Sequence, residues 1–449
     1  GIDKTNIGFV ATSTFVKDAH LHRNDIPNSL SLFSATYVPL QPISVLIGRK
    51  IGPHWWLPII LLTWGGICMA HAAVNSTRSL IALRLLLGAA ESGFTQTAFY
   101  YMSLLYPKFS LGLRMGLFSG MYSVAGAFAG LLAYGLLHIQ TKHIHGWQLV
   151  FLFEGGLTVL VGIAALLILP RDVESAWFLN AAERAHAKRR MDRDLADAQE
   201  METYDADGNP ITGPKRNNIS LRDVTDVLKD WKKLCIIVCN IFAVLPVTVF
   251  TTFLPLVVQG MGYKGIRANL MSVPPFVVGA TGLVIFVASS DYFQERSIHT
   301  VVGMLLGMIG CIVMAVSKDP KLRYGFAHVC MSGIFASGPL VAVWLAGNTP
   351  WKSSRSFILG LNGYSNLAGV IAGQLFKAQY APSYHYPLMV TMILIAVGAL
   401  GFLTLRGLYM LENRKRRNII ASWDAQRFAE EETSAERRGD QRYTWIYSY

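Results

Sequence analysis

Four ionisable residues sit where an apolar sequence should hold none. Arg84 and Glu91 lie inside the apolar run Arg84-Leu-Leu-Leu-Gly88-Ala-Ala-Glu91, and Asp3 and Lys4 head another. An ionisable side chain near a bilayer centre costs about 2.5–3.5 kcal/mol on insertion scales, so such groups face a bundle interior and a functional role is the default reading. Seven residues turn a helix by about 700°, close to two full turns, and raise it by about 10 Å. Arg84 and Glu91 therefore share one face, too far apart to pair, and each needs another partner. Asp3 and Lys4 are about 100° apart on their helix, so at least one points inward. Two cations and two carboxylates balance to zero. Protonating one carboxylate leaves a net positive charge that an organic anion can neutralise, a physical basis for coupled entry of a proton and an anion. The competing reading is structural, with both residues tying their helix to neighbours or backbone carbonyls. Glu154, two turns into a later run between Trp147 and Gly155-Gly156, reads as structural.

The elements that must position these groups follow from composition. The 449 residues are 52% hydrophobic and 15% charged, with a mean hydropathy of +0.36; soluble domains carry about a quarter charged residues. The charges fall between apolar runs of the length a helix needs to cross the hydrocarbon core. The runs do not alternate every second residue, as strands of a membrane barrel would. Expected spans are 28–48, 56–75, 80–103, 112–137 and 148–169, then 234–258, 269–290, 298–316, 323–346, 355–376 and 386–409. Residues 1–16 are too few to span, and the expectation is that the chain opens inside its first helix. The predicted fold is therefore all-α: a polytopic membrane protein of 12 helices, six plus six, with the first truncated. Residues 1–169 would form one lobe, 170–230 a linker, 231–410 a second lobe and 411–449 a tail.

The net charge of +12 does not point to nucleic acid, because the bases flank apolar spans instead of forming a continuous patch. Arg49-Lys50, Lys108, Arg114, the linker bases, Arg296, Lys352, Arg355 and Arg414-Lys415-Arg416-Arg417 all fall on one side, which places both termini in the cytosol. The five cysteines match no zinc or redox spacing and read as packing thiols. In the linker, Ala181–Ala198 mixes both signs and suits a solvated helix. Ser220-Leu221-Arg222-Asp223 carries a helix-start pattern leading into the interfacial anchor Trp231-Lys232-Lys233. Asn75-Ser76-Thr77 is a glycosylation acceptor pattern hugging the membrane. Glycines recur four residues apart at Gly112, Gly116 and Gly120, Gly126 and Gly130, Gly303 and Gly307, and Gly369 and Gly373. Such spacing serves either static helix packing or a sliding surface.

Together these features resemble the major facilitator superfamily, its anion:cation symporters and, within them, the fungal allantoate permease family. The resemblance spans nearly the whole chain. It rests on Ile2-Asp3-Lys4-Thr5-Asn6-Ile7-Gly8, Arg49-Lys50-Ile51-Gly52-Pro53, the Arg84, Gly88 and Glu91-Ser92-Gly93 set, Gly146-Trp147 with Phe151 and Glu154-Gly155, Trp344 with Asn348, and Gly363 with Asn366. It implies two lobes rocking about a central site. It implies proton-coupling roles for Asp3 and Glu91 and substrate contacts from Lys4, Arg84, Tyr37, Asn362 and Asn366. Tyr37 and the asparagines read equally as packing residues. Arg49 departs from the superfamily's acidic residue, and Gly146-Trp147-Gln148-Leu149 lacks the arginine that would partner Glu154.

The leading expectation is a secondary active transporter importing a small organic anion with protons across the plasma membrane. It would take a vitamin, an allantoate-like compound, a short peptide or a sugar acid, with no cofactor or metal, as a monomer in the lipid bilayer. The alternatives are drug or metabolite efflux by proton antiport and a non-transporting nutrient sensor. Gly126-Ala127-Phe128-Ala129-Gly130 lacks the proline typical of exporters, and residues 410–449 make a short tail for a sensor. No His-rich cluster, nucleophile elbow or phosphate loop points to an enzyme.

Overall fold

The computed structural model describes residues 2–22, 24–106, 108–139, 144–200, 221–263, 266–349, 352–433 and 439–449, without the side chains of residues 3–5 and of several helical positions. The described residues are helical and contain no strand. The membrane helices are numbered by span. Helix 1 is Ile2–Val10, helix 2 Asp25–Ile51, helix 3 Pro53–Ala70, helix 4 Thr77–Glu91 continued by Phe94–Leu105, helix 5 Lys108–Leu137 and helix 6 Gly146–Ile168. Helix 7 is Trp231–Gly260, helix 8 Arg267–Phe293, helix 9 Ser297–Val316, helix 10 Pro320–Gly347, helix 11 Lys352–Asn362 continued through a 3-10 stretch to Ala368–Leu375, and helix 12 His385–Ile420. Among the described residues, nine helices are long and apolar enough to cross a bilayer. The other three spans fall short because helices 4 and 11 are broken midway and helix 1 has nine described residues.

Local chemistry sets the ends. Ser76 caps helix 4, its hydroxyl accepting from the Ser79 backbone nitrogen, so the glycosylation pattern coincides with a helix start. Asp230 caps helix 7 in the same way. The linker contains the expected polar helix Ala181–Glu200 and a second helix, Leu221–Lys229; Ser220 lies outside the described residues.

Glycine spacing turns out to serve two different contacts. Gly303, Gly307 and Gly310 of helix 9 press against Gly333, Ile334 and Cys330 of helix 10, within the second half. Gly8 meets the Thr252 backbone, Gly369 the Ser34 hydroxyl, Gly373 Ser31 and Pro27, and Gly130 Val273 and Asn269. These contacts join first-half helices 1, 2 and 5 to helices 7, 11 and 8 of the second half, at the end remote from the linker. Asn24 Oδ1 accepting from the Ala378 nitrogen (3.2 Å) and Asn269 Nδ2 donating to Phe9 O (3.3 Å) lie at the same end.

The polar tail folds back onto the second half. Arg416 Nη1 donates to the carbonyls of Asp440, Arg442 and Trp445 at 2.9, 2.9 and 2.8 Å. Asn413 grips the Tyr447 backbone on both sides, and Trp344 Nε1 and Asn348 Nδ2 each donate to Ser448 O at 3.0 Å. Lys233 corrects an expectation: instead of anchoring at a lipid interface it is 3% exposed and paired with Asp440 (2.6 Å) and Asp230 (3.2 Å). Burial pushes the Asp440 carboxyl above its ordinary range, with Lys233 opposing that shift. The Arg416→Ala variant should therefore release the tail, because three carbonyls losing their donor each cost about 1–3 kcal/mol while buried and recover hydrogen bonds in water. Limited trypsinolysis after Arg442 should accelerate at least about tenfold, the equivalent of about 1.4 kcal/mol. An unchanged digestion rate would show that the guanidinium does not hold the tail.

Candidate substrate and proton site

Arg84 is 1% and Glu91 7% exposed, so neither faces lipid. Helix 1 supplies the contact that places Arg84. Arg84 Nη2 donates to Asn6 Oδ1 at 3.2 Å, and Asn6 Nδ2 donates to Glu154 Oε2 at 2.8 Å. Asn6 also approaches the Cys68 sulfur at 3.8 Å, so helices 1, 3, 4 and 6 converge on one carboxamide. Glu154 thus has the partner that its local sequence lacks. Sequence reading passed over Asn6, although it lies one turn from Asp3 and was legible as a polar residue in an apolar helix. Helix 1 places Asp3 and Lys4 in its first turn; their side chains lie outside the described residues.

Glu91 is the last residue of the first segment of helix 4. Ser92 is extended and Gly93 is left-handed (φ 74°) before the helix restarts at Phe94. A side chain at Gly93 would meet Ser44 at 2.6 Å as well as being strained, so the break depends on glycine. Tyr37 is 7% exposed, stacks on Phe33 at 5.3 Å, and has Glu91, Tyr122 and Thr95 as electrostatic or hydrogen-bond neighbours. Tyr122 of helix 5 in turn neighbours Thr251 of helix 7, linking the Glu91 region to the second half.

Helix 11 breaks at a similar depth, where the 3-10 stretch Gly363–Leu367 interrupts it. Asn362 Oδ1 accepts from Asn240 Nδ2 of helix 7 at 2.8 Å, and Asn366 Nδ2 donates to Gly363 O at 3.0 Å. Asn366 therefore stabilises the break itself. The structure gathers Arg84, Asn6 and Glu154 into one cluster, Glu91 and Tyr37 into a second, and Asn362 with Asn240 into a third. His71, fully buried and stacked on Phe151 at 5.3 Å, was also missed; an apolar helix end provides no signal for it.

A bundle of apolar helices with charged and amide side chains sealed inside, and with helices interrupted at that depth, defines a polytopic membrane transporter. The chain belongs to the Major Facilitator Superfamily, whose model matches residues 1–373. It is 31% identical over 422 residues to the MFS-type transporter efuF of Hormonema carpetanum, covering 93% of this chain and 82% of that one. It is 28% identical over 420 residues to the high-affinity nicotinic acid transporter of Saccharomyces cerevisiae, covering 93% and 76%. In structure it is similar to a bacterial homolog of the human lysosomal transporter Spinster in an inward-facing, unoccupied conformation (TM-score 0.66, 14% identity, 90% and 94% covered). It is also similar to the xylose transporter XylE of E. coli in a partially occluded inward open conformation (TM-score 0.64, 13% identity, 90% and 94% covered). These two likenesses are of fold. The chain is a multi-pass membrane transporter, as its relatives are, and not an enzyme.

Proposed function

We propose that the protein imports a small organic anion together with protons by alternating access, in the manner of the anion:cation symporters and their allantoate permease branch. The observation that carries this reading is the sealed placement of Arg84, whose guanidinium reaches the interior through Asn6 while Glu91 follows two turns along the same helix. Arg84 and Lys4 would attract the anion's carboxylate. Glu91 and Asp3 would carry the proton, and Tyr37, Asn362 and Asn366 would line the pocket. Residues 1–169 and 231–410 would act as the rocking lobes, joined by 170–230, in a monomer at the plasma membrane with both termini cytosolic. A proton entering with an inside-negative potential gains about 2.3 kcal/mol per 100 mV, which offsets the unfavourable entry of one anionic charge. The nicotinic acid transporter among the relatives supports a small carboxylic acid as cargo. The test is uptake of labelled nicotinate and other small carboxylates into proteoliposomes, acid outside. Accumulation that collapses with a protonophore is expected; a panel that gives no proton-driven accumulation would sink the reading.

Alternating access also gives the cross-half glycines a task. Gly369→Val should wedge helix 11 from helix 2, because its new carbon would overlap the Ser34 hydroxyl. Overpacking a close contact costs about 1–3 kcal/mol, which raises the population of a state free of the overlap by about fivefold to 100-fold. Ser31→Cys, buried at this contact, should then become reactive to an impermeant maleimide added from the end remote from the linker. Labelling that stays at background would mean that the contact yields without opening.

A further inference from the structure

Just beyond Glu91, toward the linker end, lies a set of side chains that the charge argument does not use. Gln96 is in the first turn of the second segment of helix 4, and its Nε2 donates to Gln41 Oε1 of helix 2 at 3.1 Å. Gln41 stands between Pro39 and Pro42 and presses against Gly363, where helix 11 is broken. Asn362, the neighbour of Gly363, holds Asn240 of helix 7. Four carboxamides from helices 2, 4, 7 and 11 thus form one layer across the boundary between the halves. A side chain at Gly363 would push the Gln41 and Gln96 carboxamides out of this arrangement.

This layer is half-buried to buried and incompletely bonded. Gln41 is 3% and Asn240 1% exposed, yet Gln41 Nε2, Gln96 Oε1 and Asn240 Oδ1 have no hydrogen-bond partner among the described residues. Reversing any one carboxamide exchanges its oxygen and nitrogen and still leaves one end unmatched. Buried amides are ordinarily bonded, so unmatched ends at one depth, beside two broken helices, mark a place that a ligand completes. The unmatched ends include both donors and acceptors, and no charged group belongs to the layer. An ionised ligand group is poorly matched there. A group that both donates and accepts fits.

We propose that Gln41, Gln96, Asn240 and Asn362 form a neutral subsite that binds a carboxamide-type group of the substrate, one that donates and accepts hydrogen bonds at once. The proposal rests on the organic-anion reading only for what the rest of the substrate is: a carboxylate near Arg84, joined to the uncharged amide by a chain that reaches past Glu91, more than about 10 Å away. The layer assembles only when helices 2 and 4 meet helices 7 and 11. A ligand bound there therefore contacts both halves and helps to draw them together.

The experiment uses the full chain in detergent and two pairs of probes, with affinity read by calorimetry. The monoamide of sebacic acid, long enough to reach past Glu91, is compared with 10-oxoundecanoate, in which a methyl replaces the amide nitrogen; sebacamide is compared with 2,11-dodecanedione, the same change without a carboxylate. Expected is a preference of about tenfold or more for the amide member of each pair, because a site built to bond a polar group rejects the analogue that lacks it. Gln41→Leu and Asn240→Leu should each bring both ratios toward one, with melting temperature as the check on folding. Equal affinities within both pairs in the unmodified chain would overturn the subsite, as would preferences that survive in both variants. If the amide preference holds in both pairs but the carboxylate adds no affinity, the subsite stands and the organic-anion reading fails. If the carboxylate strengthens binding with no amide preference, the reverse holds.

Discussion

Arg84→Ala is expected to weaken binding of carboxylate substrates strongly while the protein still folds. Truncating one partner of a buried, hydrogen-bonded charge pair costs about 2–5 kcal/mol, and each 1.4 kcal/mol is about tenfold in affinity. The expected loss is therefore about 30-fold to more than 1000-fold. The fork of the guanidinium matters as well as its charge. Arg84 donates to Asn6 through a planar fork of N–H groups, a geometry that a lysine ammonium does not reproduce. Arg84→Lys, which keeps the charge as a single point, should recover part of the affinity. Because Asn6 joins Arg84 to Glu154, the variant also loosens that carboxylate, so melting temperature is measured beside affinity. Normal anion affinity in a stable Arg84→Ala protein would make the residue a structural tie between helices 1, 4 and 6.

Glu91→Gln is expected to separate transport from coupling. The amide has the shape of the protonated acid and cannot release a proton. Accumulation driven by a pH gradient should fall to the equilibrium distribution, while exchange of labelled for unlabelled substrate continues. The sign of the pH effect follows from linkage. If a proton on Glu91 favours the anion, the anion favours the proton by the same factor, so substrate affinity should rise as pH falls. In Glu91→Gln that dependence should flatten. Undiminished pH-driven accumulation would remove Glu91 from the coupling, and the neighbouring Tyr37 and Tyr122 would then have no carboxylate to serve.

Burial of Arg84 and Glu91 was legible because spacing within one helix is a local property: seven residues return to the same face wherever the helix is packed. Most helix boundaries were legible to within a few residues for the same reason, as with 234–258 against Trp231–Gly260, although helix 12 runs on to Ile420 where 386–409 was expected. The breaks were not. Residues 80–103 read as one span, yet the chain leaves helical geometry at Ser92-Gly93 because helix 2 presses there through Ser44 and Gln41. Residues 355–376 likewise read as unbroken, and the 3-10 stretch at Gly363 lies where helix 11 meets Gln41 and Gln96. A glycine in an apolar run signals permission to bend; a neighbouring helix decides whether it does.

Partners were the least legible of all. Asn6 and Glu154 are 148 residues apart, and nothing local to either names the other. The sequence marks 411–449 only as a tail, whereas residues 445–448 are bound carbonyl by carbonyl to Arg416, Asn413, Trp344 and Asn348. Composition and periodicity by themselves determined that this chain is a helical membrane protein with charge buried on helix 4, because bilayer thickness and helical pitch act on every residue alike. Which polar groups meet, where helices 4 and 11 break, and what the tail covers were decided only by tertiary structure, because those outcomes depend on helices brought together from distant parts of the chain.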